Sequence, residues 1–328
     1  MPALDFKQPP DSICLLRLSA IGDVTHMLPI IATLQHYWPE TAISWIIGRV
    51  EFQLVNSLPN VNFIVFDKSN GIAEYLTLKK KIAGMTFDVV LIMQVSLRAN
   101  LISLLLRSRH KIGYDKTRAR DFHSLFINQC IEGPARVHVL DTFFQFMEKM
   151  GIADRKMDWL LHANQNDHEY AQKIINQTPT VIINPCSSAR KNNWRNWPIN
   201  AYAEVINYLI AKKYQVILTG GTSSKEINYA AQIVSLCQYK PMNLVGKTSL
   251  SQLLALLEQS KCLIAPDTGP AHMGTVAGIP VIGLYASSNP MRTGPYNSLN
   301  IVANTYPEAI QKFNQKTIEY APWGARIR

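Results

Sequence analysis

An aspartate beside a glycine at a strand-to-helix turn is placed to take a proton from a bound hydroxyl. The chain has one in Arg17-Leu-Ser19-Ala-Ile-Gly22-Asp23-Val-Thr-His26-Met-Leu-Pro29. An apolar run precedes this segment and a helical pattern follows it, and open α/β sheets hold their ligands at such turns. Asp23 also suits an N-cap, accepting from the amides of Thr25 or His26, and capping would keep the carboxylate ionised, as a base must be. Ser19 offers a neighbouring hydroxyl or a local turn contact.

A second corner, Ala265-Pro-Asp267-Thr268-Gly269-Pro-Ala-His272-Met-Gly274, repeats the strand-loop-helix pattern near the other end of the chain. Free amides and the positive end of a helix receive a diphosphate without a lysine, so Asp267, Thr268 and Gly269 read as a phosphate cradle or as an ordinary cap with a tight turn. His272 falls inside the helix, where a histidine either packs or reaches substrate. Between the corners lies Asn184-Pro-Cys186-Ser187-Ser188-Ala-Arg190-Lys191-Asn-Asn-Trp-Arg195-Asn-Trp197-Pro198, whose hydroxyls and cations suit a diphosphate. Gly220-Gly221-Thr-Ser-Ser-Lys-Glu226 puts an acid in a first helical turn, ordinarily a partner of the helix dipole. Gly246-Lys247-Thr248 is not a P-loop, because the first glycine is missing at the required spacing.

These turns need elements to hold them. In the first half, strand-like runs at 13–18, 43–48, 62–66 and 88–93 alternate with helical patterns, of which 23–37 is the first. Trp38-Pro39 and Leu58-Pro59 stop helices, since proline disfavours helix in the residue before it. After the polar stretch 163–167 and a helix-like segment to Asn176, a second series places strands near 181–184, 215–219, 243–245, 262–265 and 281–285. Runs such as Val-Ile-Ile without alternation suit parallel strands covered on both faces. The expectation is an α/β protein of two doubly wound domains, 1–165 and 166–328, whose two chemical corners suggest a cleft between two sheets.

The patterns R-x-S-x-x-G-D-x-x-H-x-L-P and D-T-G-x-x-H, at Arg17–Pro29 and Asp267–His272, resemble glycosyltransferase family 9, the ADP-heptose:lipopolysaccharide heptosyltransferases, over nearly the whole chain. The resemblance implies a GT-B fold of two Rossmann-like domains. The first would bind the acceptor and the second the nucleotide-sugar, with the C-terminal tail crossing back onto the first. It implies Asp23 as catalytic base, Gly22 as room for the sugar, and Ser19 beside the acceptor. Donor contacts fall on Ser187, Ser188, Arg195, Asp267, Thr268, Gly269 and His272, with Glu226 on the ribose. Two departures stand out: Arg195 replaces the usual lysine two residues before Trp-Pro, and Cys186-Ser187 stands where Pro-Gly-Ala is common. Arginine keeps the charge as a planar fork, which changes phosphate geometry. The implied reaction inverts the anomeric centre, moving heptose from ADP-heptose to Kdo-lipid A or to a first heptose, and the Gly-Asp-Val-x-His-x-Leu-Pro wording is closer to the type I enzymes. Transfer of another nucleotide-sugar to a surface glycan, or nucleotide-sugar binding without catalysis, stays open; Asp23 favours an enzyme.

The bulk numbers fit such a reading. At 328 residues and 47% hydrophobic content, the chain can bury a core in each of two domains. The longest uncharged apolar stretch, near Leu101 to Leu106, ends at Arg107, far short of the roughly 20 residues of a membrane span. Met1 to Pro10 lacks the basic start and apolar core of a secretory signal, so a cytoplasmic protein is expected, peripheral at most on the inner membrane. Five cysteines without paired spacing read as reduced thiols, and no zinc spacing occurs. No tightly bound cofactor is expected, though a diphosphate can itself recruit magnesium.

The net charge of +10 attracts any polyanion, but it is focused. Arg98, Arg107, Arg109, Lys111, Lys116, Arg118 and Arg120 share one stretch with a single acid, Asp115. Arg118 and Arg120 are the expected acceptor contacts, or else part of a surface drawn to anionic membrane. A dinucleotide oxidoreductase would need G-x-G-x-x-G where Ser-Ala-Ile-Gly-Asp has one glycine, and no basic helix or aromatic RNA-binding motif supports a nucleic-acid partner.

Overall fold

The computed structural model describes residues 6, 8–175, 178–187 and 194–327. The chain divides into two compact units, 1–161 and 162–328. In the first, β1 (Ser12–Leu16), α1 (Ile21–Thr25), α2 (Met27–Tyr37), β2 (Ala42–Gly48), α3 (Arg49–Val55), β3 (Val61–Phe66), α4 (Ala73–Lys81), β4 (Phe87–Ile92), α5 (Leu97–Leu105), β5 (Ser108–Gly113), β6 (Gln129–Cys130) and α6 (Val139–Lys149) follow one another. The strands pair in parallel in the order β3-β2-β1-β4-β5-β6. The order reverses between β1 and β4, which are in register from Ile13↔Val89 to Leu16↔Ile92. The crevice beyond the carboxyl ends of two such strands is where doubly wound sheets bind ligands.

The second unit repeats this plan with α7 (Gln165–Ile174), β7 (Thr180–Ile183), α8 (Ile199–Ala211), β8 (Gln215–Leu218), α9 (Ser224–Leu236), β9 (Met242–Asn243), α10 (Leu250–Glu258), β10 (Cys262–Pro266), α11 (Gly269–Val276), β11 (Val281–Tyr285), α12 (Pro290–Thr293), β12 (Ala303–Asn304) and α13 (Tyr306–Asn314). Its order, β12-β11-β10-β7-β8-β9, reverses between β7 and β10. Both units therefore have the Rossmann strand order expected of doubly wound domains.

Apolar content explains the layering. Central strands such as Ile13-Cys-Leu-Leu16 and Val89-Val-Leu-Ile92 are buried along their whole length, each large aliphatic side chain contributing roughly 1.5–3 kcal/mol of transfer free energy. Helix α2 buries Met27, Leu28, Ile30, Ile31 and Leu34 and stops at Trp38-Pro39, where the proline forbids another turn. Burial pushes the Cys14 thiol up, as suits a core filler. The C-terminal segment folds on the second unit. Tyr306, Ile310 and Ala321 share a small core with Ile318, Ala325 and Ile327, and the Tyr306 hydroxyl donates to the Ala325 carbonyl at 3.0 Å.

Three strands were not legible in the sequence. β6 and β12 are two residues long, and β5, Ser-Arg-His-Lys-Ile-Gly, is basic with a half-exposed start. Its pairing with β4, not its side chains, makes it a strand, so the basic stretch 98–120 is part helix, part strand and part turn. Among the described residues no helix is long and apolar enough to cross a membrane.

Candidate active site

The first corner sits at the carboxyl end of β1. Arg17, nearly buried, donates through one guanidinium nitrogen to the Met93 carbonyl at 2.5 Å. Through the other it is ion-paired with Asp23, and its plane lies over the Phe143 ring of α6 at 5.3 Å. On the β4 side, the Gln94 side-chain oxygen accepts from the amides of Leu18 at 2.8 Å and Ser19 at 3.3 Å. The turn carrying Ser19 is thus fixed from both strands of the switch point.

Asp23 is the third residue of α1 and not its cap. Ala20 holds the N-cap position, and the Asp23 carboxylate reaches back to the Ala20 amide at 3.4 Å. It therefore supports the helix start from inside the first turn, where a negative charge still meets the positive dipole end. The Arg17 and Asp23 side chains are 11% and 31% exposed, so the carboxylate remains open on one side. Gly22 precedes it in the same turn, and the Thr25 hydroxyl donates to the Gly22 carbonyl at 2.7 Å. His26, buried at the junction of α1 and α2, meets His138 edge-on at 5.2 Å. Arg17 and Gln94 were not among the sequence-derived site residues. Arg17 stood inside the motif itself, whereas Gln94 carried only the signal of being a polar residue just past a strand.

Arg118 and Arg120 part company. The Arg118 guanidinium is ion-paired with Asp115, donates to it through Nε at 2.5 Å, and reaches Gln145 of α6. Of the two expected acceptor contacts, Arg118 is committed to internal partners, whereas Arg120 is exposed. The turn they occupy hangs on His123. The Tyr114 amide donates to His123 Nε2 at 3.0 Å, which puts the proton on Nδ1, 2.8 Å from Asn100 Oδ1. Burial lowers the His123 pKa to about 4, so the ring is neutral.

In the second unit, β7 and β10 deliver two loops to the other switch point. The Arg195 guanidinium donates to the Asp267 carbonyl at 2.9 Å and lies 3.4 Å from its carboxylate. This pair joins the loop after β7 to the loop after β10. Asp267 is nearly buried, and the Tyr285 phenol is pushed well up, first by burial and then by Asp267, with Arg195 opposing. Ser187 donates its amide to the Asn196 side chain at 3.0 Å, and Asn196 in turn donates to the Cys186 sulfur at 3.1 Å. Ser188, Arg190 and Lys191 lie outside the described residues.

Thr268 is the N-cap of α11, with extended backbone and a hydroxyl that does not cap the helix. Gly269 and Pro270 open the helix, and the Ala271 amide turns back to the Thr268 carbonyl at 3.2 Å. The Gly269 amide and the Thr268 hydroxyl remain the natural donors to an incoming anion, because proline has no N–H. Gly274 lets α11 lie close on the sheet, for a Cβ there would come within 2.5 Å of Val281 Cγ2. His272 is buried in the same helix.

Glu226, after β8, closes its own loop. Its carboxylate accepts from the Gly221 amide at 2.6 Å and the Ser223 hydroxyl at 3.1 Å, while Ser223 caps α9 through the Glu226 amide at 3.3 Å. This reciprocal cap is the ordinary reading of an acid in a first turn. Asn184 escaped the sequence reading; it donates to the Thr219 carbonyl at 3.0 Å, and its own side-chain oxygen is buried without a hydrogen bond among the described residues. The described residues contain no cluster of three or more His, Cys, Asp or Glu able to hold a metal.

Comparison with known proteins identifies the family and the fold. The family model described as glycosyltransferase family 9 (heptosyltransferase) matches residues 75–321. The chain is 39% identical over 324 residues to the lipopolysaccharide core heptosyltransferase OpsX of Haemophilus influenzae, covering 98% of this chain and 92% of that protein. The Asp23 corner lies ahead of the family match and within the near-complete alignment. Lipopolysaccharide heptosyltransferase 3 of Escherichia coli is 24% identical, over 86% of this chain and 84% of its own. Among solved structures, a family 9 glycosyltransferase from Veillonella parvula superposes with a TM-score of 0.77 at 23% identity, covering 96% of this chain and 92% of its own. E. coli heptosyltransferase WaaC with ADP gives 0.73 at 19%, covering 93% and 99%. The fold is GT-B.

Proposed function

The chain belongs to glycosyltransferase family 9, and from that premise we propose that it transfers heptose from ADP-heptose to the inner core of lipopolysaccharide with inversion at the anomeric carbon. Asp23 takes the proton of the acceptor hydroxyl as that oxygen attacks the anomeric carbon. The bond from that carbon to the diphosphate oxygen breaks, and ADP leaves with the electron pair. General-base assistance of this kind contributes about 10²–10⁴-fold. Arg17 aims the carboxylate, and Gln94 fixes the turn that Ser19 and Gly22 offer to the acceptor.

The second unit takes the donor. Negative charge grows on the leaving diphosphate, and donors already in place there cost no reorganisation. Arg195 with the Thr268 hydroxyl and the Gly269 amide fills that role, Ser187 and Ser188 add hydroxyls to the donor, and Asp267 holds Arg195 in place. Glu226 binds the ribose, and His272 backs the cradle from within α11. Arg120 meets the phosphates and carboxylates of the inner core. The acceptor is a lipid, so the reaction belongs at the cytoplasmic face of a membrane whose anionic surface the basic stretch 98–120 favours.

The observation that carries the reading is the coincidence of both motifs with both topological switch points: Arg17–Asp23 between β1 and β4, and Arg195–Asp267 between β7 and β10. Incubating the purified protein with ADP-heptose and a series of truncated lipopolysaccharides, with products identified by mass spectrometry, tests it. A mass increase of one heptose on a single truncation names the acceptor; no product with any of them refutes the reading.

A further inference from the structure

We propose that α5 and the turn at 120–125 form a face that docks on an anionic lipid bilayer, an inference that rests on the reading of a membrane-anchored acceptor. Helix α5, Leu97-Arg-Ala-Asn-Leu-Ile-Ser-Leu-Leu105, has no acidic residue. It buries Ala99, Asn100, Ile102 and Ser103. That leaves Leu97, Leu101 and Leu104 in water, at spacings of four and three that place them on one stripe. The turn adds Phe122 and Leu125, each 77% exposed.

The two segments are tied side by side. The Leu97 amide donates to the Asp121 carboxylate at 3.1 Å, Asn100 donates to the Asp121 carbonyl at 2.8 Å, and His123 meets the same Asn100. The five apolar side chains therefore belong to one surface. Phe122 sits at φ +57°, directly after Asp121 at φ +52°. Left-handed backbone is unfavourable for a non-glycine residue, and the exposed ring gains nothing from burial. A bulky aromatic held outward in that conformation serves no packing need of the unit, which points to a partner.

Charge identifies the partner. Arg98, Arg107, Lys116 and Arg120 are exposed in the same stretch. Its acids are occupied, Asp115 by Thr117 and Arg118 and Asp121 by the Leu97 amide. Leucine and phenylalanine rimmed by several exposed cations against one exposed acid, Asp121, is what an interfacial segment presents to anionic lipid. Each basic residue near such a surface adds to the attraction. A second copy of the chain would oppose like charge to like.

The test uses the full chain and acceptor-free vesicles, either phosphatidylglycerol with phosphatidylethanolamine or phosphatidylcholine alone, read by co-sedimentation. Wild type should bind the anionic vesicles, release at high salt, and ignore the neutral ones. Two double variants on separate segments, Phe122→Ser with Leu125→Ser and Leu101→Gln with Leu104→Gln, should each lower partitioning by about tenfold or more. Turnover on a soluble, deacylated acceptor should stay within about twofold of wild type, the ordinary reach of exposed substitutions. Wild type that ignores anionic vesicles, or variants that bind as well as wild type, overturn the docking face. So does loss of soluble-acceptor turnover in both variants, which would make the face part of acceptor recognition, or a change in oligomeric state, which would make it a self-interface. Vesicle binding without turnover on any acceptor would instead sink the enzymatic reading and leave the docking face standing.

Discussion

Replacing Asp23 by Asn removes the proposed base while keeping a side chain that still accepts from the Ala20 amide and still faces Arg17. The Arg17–Asp23 pair is largely desolvated, at 11% and 31% side-chain exposure. Its loss should cost more than the 0–1 kcal/mol of an open surface pair and less than the 3–5 of a fully buried one, about 1–2 kcal/mol. Arg17 keeps its bond to the Met93 carbonyl and its place over Phe143, so the melting temperature should fall by only a few degrees. Turnover should fall by about two or more orders of magnitude, at least about 2.7 kcal/mol on the barrier. ADP affinity should not move, because every proposed ADP contact lies in the second unit. Product formation followed by mass spectrometry, ADP titration by calorimetry and a thermal melt separate these three quantities. Wild-type turnover would remove Asp23 from the chemistry. Collapse of ADP binding would reassign it to the donor, and unfolding at the assay temperature would make the pair structural.

Arg195→Ala should weaken ADP more than AMP in calorimetry, since the proposed contact is to the terminal phosphate of ADP, and Arg195→Lys should recover part of the loss; equal losses for both nucleotides would mean general damage to the loop tied to Asp267. Stability should fall as pH drops from about 6.5 towards about 4, because His123 binds its proton later in the fold than in the unfolded chain. The full penalty, about 3 kcal/mol, is reached below the folded value, and urea melts of His123→Gln should lack that part of the slope. Gly274→Ala should cost about 1–3 kcal/mol by pushing α11 off β11, and should raise the donor KM with the acceptor KM unchanged. Arg120→Gln should raise the acceptor KM several-fold on a soluble acceptor, whereas Arg118→Gln should act chiefly on the melt, because Arg118 is spent on Asp115 and Gln145.

The central strands and both corners were legible because burial on two faces leaves an unmistakable apolar run, and a loop that must end such a run keeps its chemistry in a short span. Arg17 to Asp23 and Asp267 to Gly269 are contiguous, and each lies at the carboxyl end of a strand whose place in the sheet the βα rhythm implies. β5 was not legible for the converse reason. Its residues satisfy the ladder through backbone pairing with β4, while its first four, Ser-Arg-His-Lys, are polar and only partly buried and so leave no apolar run to read. Asp23 shows the limit at single-residue scale: its role at the helix start was foreseen, but the cap itself is Ala20, one turn back, because the chain enters α1 two residues earlier than the polar signal suggests.

What the sequence could not carry is the commitment of a charge. Arg118 and Arg120 are two residues apart in one basic stretch, and neither composition nor spacing tells them apart. The fold decides between them through Asp115 in the same turn and Gln145 on α6, which take up the guanidinium of Arg118 and leave Arg120 to water. The same logic runs through Gln94, whose side chain holds the Ser19 turn only because β4 lies beside β1, and through Arg195, whose partner Asp267 is 72 residues away. In each case the function of a polar side chain is set by which strand the topology brings next to its own. A doubly wound sheet makes that choice at its switch point, so the residues just past β1, β4, β7 and β10 are where substitutions will alter chemistry, and those past the outer strands are where they will alter recognition.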